Sequence, residues 1–254
     1  MPSNSPESRT RKYVKERKRE LDLLAEVLDG TGVVRSVDPL TDAIVRKGVE
    51  PLEWHLDMVD ELLFDLDRKA VKAQRNSKPS DLKSISLALK VGLQGRCLDE
   101  DALSDPFLKL SVECVVTGRR KAMKGDYHSA WHLDRDAPKD GQKRADLAHP
   151  AYHLQYGGQR LPPLGSPGNH LLLGSPRVAH PPLDGVLAVD FVLSNYFPKL
   201  WRDLRLDGRY KELIDRSQWR CWRPYSMASA ERWSSGASEW DGLPIWPQVV
   251  YRGP

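Results

Sequence analysis

At about residue 84 the chain changes its hydrophobic period, and that change limits its fold more than any other feature. In SISLALKVGLQGRCL, Ile85, Leu87, Leu89, Val91 and Leu93 alternate with Ser86, Ala88, Lys90, Gly92 and Gln94. FLKLSVECVVTG repeats the pattern, with Leu108, Leu110, Val112, Cys114 and Val116 alternating with Lys109, Ser111, Glu113 and Val115. A period of two sends successive side chains to opposite faces of an extended chain, so both segments are half-buried strands. The strands are expected over 84–96 and 107–118. Two further strands are expected over 127–135 and 151–157, and a fifth over 170–175, after the Gly/Pro loop GGQRLPPLGSPGN. Short connections between consecutive strands favour antiparallel neighbours, which gives a five-stranded meander.

Helices flank this sheet in the expected plan. Residues 9–29 combine a basic first half with an apolar stripe through Leu21, Leu23, Leu24, Val27 and Leu28, and Gly30 and Gly32 supply the stop. A second helix is expected near Thr41. A third is expected from Glu50 to about Gln74, where Leu52, His55, Leu56, Val59, Leu62, Leu63 and Leu66 recur at helical spacing. On that stripe His55 is a packed core residue, and Arg75–Ser80 is a linker. After Pro181-Pro182, the segment LDGVLAVDFVLSNYFPKLW is apolar nearly all round, so 183–197 is expected to be a central helix packed on the sheet. A shorter helix, Gly208 to about Ser217, precedes a tail rich in Trp, Pro and Arg. The fold class is α+β: an antiparallel meander on a central helix with an N-terminal helical layer. The corresponding regions are 1–76 (helical, with a basic first helix), 82–217 (the core) and 218–254 (the tail).

Composition narrows the classes of function. No apolar run approaches the roughly 18–20 residues of a spanning helix, and the first residues lack the apolar core of a signal peptide. No membrane association is therefore expected. Cys97, Cys114 and Cys221 are odd in number and lack metal-type spacing, which fits reduced thiols in a cytoplasmic protein. The first twenty residues hold seven Lys/Arg against three Glu, and so account for the whole formal charge of +4. Any attraction to nucleic acid must be local, and Arg11, Lys12 and Lys15 are the first candidates, beside the plainer reading of a solvated helix face.

Chemistry concentrates between His128 and His180, which contain six of the seven histidines. One phrase occurs there twice, as His128-Ser-Ala-Trp-His132-Leu-Asp134 and His149-Pro-Ala-Tyr-His153-Leu-Gln155. On strands, His128, Ala130, His132 and Asp134 share one face, as do Ala151, His153 and Gln155, while Trp131, Leu133, Tyr152, Leu154 and Tyr156 face the core. If the hairpin closes symmetrically about Gln142–Lys143, His132 lies opposite His153, with Cβ atoms about 4.5–5.5 Å apart. Three roles fit this face. The histidines can be hydrogen-bonded sheet residues, or an acid–base pair assisted by Asp134. They can also be ligands of one divalent ion, with His128, His132 and His153 supplying nitrogen and Asp134 or water completing the shell. No HExxH, Cys pair or EF-hand loop is present. Arg177 and His180 can meet an anion near this face, Arg through its planar fork. Asp190 is the one charge in Val186–Leu193, which calls for burial with a paired Arg or His. Gly157-Gly158 fits a turn.

The C-terminal third carries six of the eight tryptophans, several beside arginine. Stacking surfaces next to guanidinium groups suit single-stranded nucleic acid, while Trp packed over a core edge with Arg reaching water explains the same pattern. Arg220, Trp222 and Arg223 are the candidates here, with Arg160 in the Gly/Pro loop as a further anion contact.

The pattern H-P-x-x-H-L-x-x-G, then P-R, P-P-[LM]-D and an F-x-L-x-x-[FY]-F helix is carried by His149–Gly157, Pro176-Arg177, Pro181–Asp184 and Phe191–Phe197. Over about 128–200 it resembles small bacterial domains found with mobile-element and phage-defence genes, and more distantly the TumE-like toxins of plasmid toxin–antitoxin pairs. Those combine a histidine-rich strand with an R-x-D-type segment, whose nearest counterpart here is Asp134-Arg135-Asp136. The resemblance implies a bacterial accessory or defence protein acting on RNA or a nucleotide. The functional expectation is a phosphodiesterase-type enzyme, with His132 and His153 as acid and base, Asp134 beside them and Arg177 stabilising the anion. No cofactor is needed on that reading, one divalent ion being the alternative. The competing expectation is a non-catalytic module binding a protein or nucleic acid.

Overall fold

The computed structural model describes residues 5–66, 82–98, 104–121, 126–135, 150–157 and 178–234. Five helices and one eight-stranded antiparallel sheet form an α+β fold among them. The long strands β4 (Leu82–Arg96) and β5 (Phe107–Arg120) stand where the alternation placed them, followed by β6 (Tyr127–Arg135) and β7 (Tyr152–Tyr156). Their inward residues, among them Leu87, Leu89, Val91, Val112, Cys114 and Leu133, are buried. The expected strand at 170–175 lies outside the described residues, and a two-residue strand β8 (Val178–Ala179) pairs with β7.

The sheet is larger than five strands because the helix expected over 50–74 does not form in its described part, 50–66. Residues 44–66 make β1 (Ile44–Lys47), β2 (Glu53–Asp57) and β3 (Leu62–Leu66). β2 and β3 lie one after the other along the same edge of β4, Leu56 opposite Leu93 and Phe64 opposite Leu87. The reason is a competing period. Trp54, Leu56, Met58, Leu62, Phe64 and Leu66 are all buried, at alternate positions in one phase, and three of them lie off the helical stripe. His55 is on β2, opposite Gln94, rather than on a helix. The helix expected near Thr41 is a single turn, α2 (Asp38–Thr41), that ends there. In the region 1–76 the described residues 5–66 therefore hold strands of the common sheet beside the helices α1 and α2.

α1 (Pro6–Leu28) starts with Pro at its first position, and the Ser5 side chain accepts from the Ser8 amide. It buries Leu21, Leu24, Ala25 and Leu28. α3 (Gly185–Tyr196) is capped by Asp184, whose Oδ1 accepts from the Val186 and Leu187 amides at 3.1 and 3.0 Å. It buries eight of its residues and touches β4, α1 and α5. Pro198 ends the line of α3 by opening α4 (Pro198–Leu204). α5 runs from Gly208 to Ser234, well past the expected stop at Ser217 and through Pro224. Its inner face carries Tyr210, Leu213, Ile214, Ser217, Cys221 and Ala228. The first part of the expected tail is therefore helix; 235–254 lie outside the described residues.

Three arrangements tie these layers together. Asp190 is buried, as expected, but among the described residues its Oδ1 accepts from Trp201 Nε1 at 2.7 Å and the Tyr210 hydroxyl at 2.8 Å rather than from Arg or His. Arg220 donates to Glu20 at 3.2 and 3.0 Å and to Asp184 at 2.6 Å, joining α5 to α1 and to the cap of α3. Asp105 takes hydrogen bonds from the Tyr152 hydroxyl and from Arg135 Nε, which fixes β7 against the start of β5.

Candidate functional site

The inward face of the sheet is apolar, so the outward face of β5, β6 and β7 collects the polar positions. Register decides which of them meet. β5 and β6 pair Ser111 with Asp134 and Glu113 with His132, and β6 and β7 pair Asp134 with His153 and His132 with Gln155. Two rows result: Ser111, Asp134, His153 and, beside it, Glu113, His132, Gln155. The symmetric closure that placed His132 opposite His153 is thus off by two residues. A shift of two keeps every side chain on its face, so His132 and His153 become diagonal neighbours with ring centroids 6.1 Å apart and planes at 84°.

One ligand atom from each of His132, Asp134 and His153 lies within 4.8 Å of the others. His132 Nε2 is 3.5 Å from Asp134 Oδ2, and the Ser111 hydroxyl donates to Asp134 Oδ1 at 3.0 Å. His153 Nδ1 sits 3.2 Å from the Pro150 carbonyl oxygen. A carbonyl only accepts, so this bond puts the proton on Nδ1 and the lone pair on Nε2. Exposure is graded: His153 is 3 % exposed, the His132 side chain 15 % and the Asp134 side chain 39 %. The cluster is closed at His153 and open at Asp134.

His128 does not join it. Four residues of strand separate it from His132, about 13 Å at the rise of an extended chain, and its Nδ1 is 3.3 Å from the Thr117 hydroxyl. Among the described residues, the group whose atoms lie close enough to hold an ion is therefore His132, Asp134 and His153, not His128, His132 and His153. His180 faces the other side of the sheet, where its ring meets Phe191 at 5.5 Å and Nδ1 bonds the Pro181 carbonyl. Burial pushes its pKa down against the Pro181 bond, which favours the neutral form of this partly buried imidazole. Arg177 and Arg160 lie outside the described residues.

The expected nucleic-acid contacts divide sharply. Arg220 is partly buried, its side chain 18 % exposed, and committed to Glu20 and Asp184, and Trp222 Nε1 donates to the Pro182 carbonyl at 2.9 Å. Both serve packing. The Arg223 guanidinium stacks 4.6 Å over Trp219, which is 58 % exposed. On α1 the Arg11 and Lys12 side chains are 74 and 80 % exposed, within 4.0 Å of helical neighbours Glu7 and Glu16, and Lys15 is exposed too.

Ser111, Glu113 and the Pro150 carbonyl are the members of the site that sequence reading missed. The alternation already put Ser111 and Glu113 on the polar face; only the β5–β6 register was lacking. No protein-family model matches the chain, and no curated protein or solved structure does. No described helix is long and apolar enough to cross a membrane.

Proposed function

We propose that the protein is a phosphodiesterase-type enzyme acting on RNA or a nucleotide, with His132, Asp134 and His153 as its reacting centre. The observation that carries this reading is their convergence at the edge of a buried imidazole. Two imidazoles and a carboxylate meet where His153 is held by Pro150 and Asp134 by Ser111. Hydrolysis of a phosphodiester forms a P–O bond to water and breaks one to the leaving oxygen. A proton leaves the water and another reaches the leaving group, tasks suited to groups that titrate near neutrality or to a bound ion. Lys109 is exposed and lies one step along β5 from Ser111 on the same face, about 7 Å away. It supplies a cation for the phosphate on this side of the sheet. The resemblance of 128–200 to bacterial defence and toxin-associated domains supports RNA or a nucleotide as substrate, in a defence or toxin-like setting.

The test is turnover of labelled single-stranded RNA, cyclic dinucleotides and bis(p-nitrophenyl) phosphate, with and without added divalent ion. His132→Ala and His153→Ala are each expected to lose about 10²-fold or more, while Lys109→Ala raises KM with little change in kcat. Absence of turnover in every condition overturns the proposal. The second reading, a non-catalytic binding module, draws on the exposed Arg11, Lys12 and Lys15. It takes the lead if RNA binds without turnover and the triple alanine variant at these positions loses that binding.

A further inference from the structure

We infer that His132, Asp134 and His153 bind one divalent ion of the zinc class, with a coordination position left open to water or substrate. This rests on the reading of the cluster as the reacting centre and names the agent that works there.

Ligand spacing supports it first. Metal–ligand distances of about 2.0–2.1 Å at a tetrahedral angle put ligand atoms roughly 3.3–3.4 Å apart. The Nε2–Oδ2 separation of His132 and Asp134 is 3.5 Å, and His153 needs to draw in by at most about 1.5 Å from the 4.8 Å limit of the group. Side-chain rotation about χ1 and χ2 supplies that.

The outer partners support it independently. A ligating histidine donates its other ring N–H to a carbonyl or carboxylate, which fixes the tautomer and aims the ligating nitrogen. His153 does this with Pro150, and the bond holds although the residue is buried. A ligating carboxylate is itself hydrogen-bonded, as Asp134 is by Ser111. Glu113, opposite His132 on the same face, adds negative charge beside the cation.

The donor set then selects the ion. Two nitrogens and one oxygen suit zinc, cobalt or iron(II) and not magnesium or calcium, which take oxygen shells. Among the described residues three protein ligands gather with an exposed side at Asp134, the pattern of a catalytic rather than a structural site. A bound ion also resolves a difficulty for direct acid–base catalysis. His153 is too buried to reach a substrate proton, but it can hold an ion that faces outward.

The experiment uses the full chain, stripped of metal by chelator dialysis and titrated with Zn2+ against a chromogenic competitor. The visible spectrum of the Co2+ form is recorded alongside. One equivalent per chain is expected. His132→Ala and Asp134→Ala should each weaken binding at least about tenfold, and Ser111→Ala by about tenfold. His128→Ala and His180→Ala should bind as the parent does. Thermal melts of the variants verify folding, and His132 and Asp134, being partly exposed, keep the test valid if His153→Ala does not fold. No stoichiometric Zn2+ binding, or parental affinity in both His132→Ala and Asp134→Ala, overturns the inference. The two readings fail separately. One bound Zn2+ without phosphodiester turnover sinks the enzyme and keeps the site, whereas turnover by an ion-free chain in excess chelator sinks the site and keeps the enzyme.

Discussion

Replacing Arg220 by Met separates the buried role seen for this residue from the nucleic-acid role its sequence context suggests. In the parent, one guanidinium serves two carboxylates, Glu20 at 3.0 Å and Asp184 at 2.6 Å, with side chains only 6 and 9 % exposed. Removing one member of a buried ion pair costs about 3–5 kcal/mol, because the remaining charge has no partner. Two features limit the loss. Glu20 keeps Arg17 at 2.9 Å, and Asp184 keeps the Val186 and Leu187 amides. The expectation is therefore the lower end, about 3 kcal/mol, which for a chain of this size lowers Tm by roughly 6–12 °C. Circular dichroism melts at pH 7 measure it. The variant should also change acid sensitivity. Burial raises the Asp184 carboxyl, but Arg220, the Leu187 amide and Arg17 together outweigh it and hold its pKa below the ordinary 3.8. A depressed carboxyl contributes stability above its unfolded pKa and loses it as pH falls through the folded value. That loss lies below about pH 4 in the parent and moves upward when Arg220 is gone. Glu20, which burial pushes up, acts in the opposite sense. A variant that melts within about 2 °C of the parent refutes the buried role; weaker RNA binding at unchanged Tm would make Arg220 a surface contact after all.

Asp190→Ala strands two donors, the partly buried Trp201 Nε1 and the buried Tyr210 hydroxyl, and should cost about 3–5 kcal/mol in denaturant unfolding. Asp190→Asn, which keeps an acceptor, should cost less, and equal losses would contradict the assignment. Burial pushes the Tyr13 phenol up to about 12 despite Arg220 and Arg17. Its share of stability is intact below about pH 10 and lost as pH rises through about 12, so Tm should fall in that window and Tyr13→Phe should flatten the fall. Cys114 and Cys221 are buried with pKa values raised by burial. Neither should react with a thiol reagent until the chain unfolds; rapid labelling of the native protein would show an opening that the packing does not contain.

The strands that form the site were legible because their outward and inward residues differ in kind. In β4 and β5, Leu89, Val91 and Val112 alternate with Lys90, Gly92 and Ser111, and burial follows that order. β2 and β3 were hidden by a second pattern in the same residues. Leu52, Leu56, Leu63 and Leu66 fit a helix, but Trp54, Met58 and Phe64 fit only the alternation and bury the larger side chains. The face of the histidine cluster was legible and its register was not. Period two fixes faces, whereas the pairing depends on the connection between β6 and β7, which carries no apolar pattern of its own. The expected end of α5 near Ser217 falls short because the Trp- and Pro-rich composition that follows reads as a tail. The helical stripe Tyr210, Leu213, Ile214, Ser217, Cys221, Ala228 was present in the sequence and is the buried face. Arg220 is one residue off that stripe, close enough to reach Glu20 and Asp184 across it.

The central claim is that His132, Asp134 and His153 act as one centre, and the loss of turnover in combined variants tests it most directly. Groups that work as a unit give losses that do not add, since removing one already disables the others. Steady-state kcat/KM on a phosphodiester substrate should therefore fall about as far in His132→Ala and Asp134→Ala singly as in the double variant, with parental melts for the singles. Losses that multiply in the double variant, or single variants that keep parental turnover, would contradict the account.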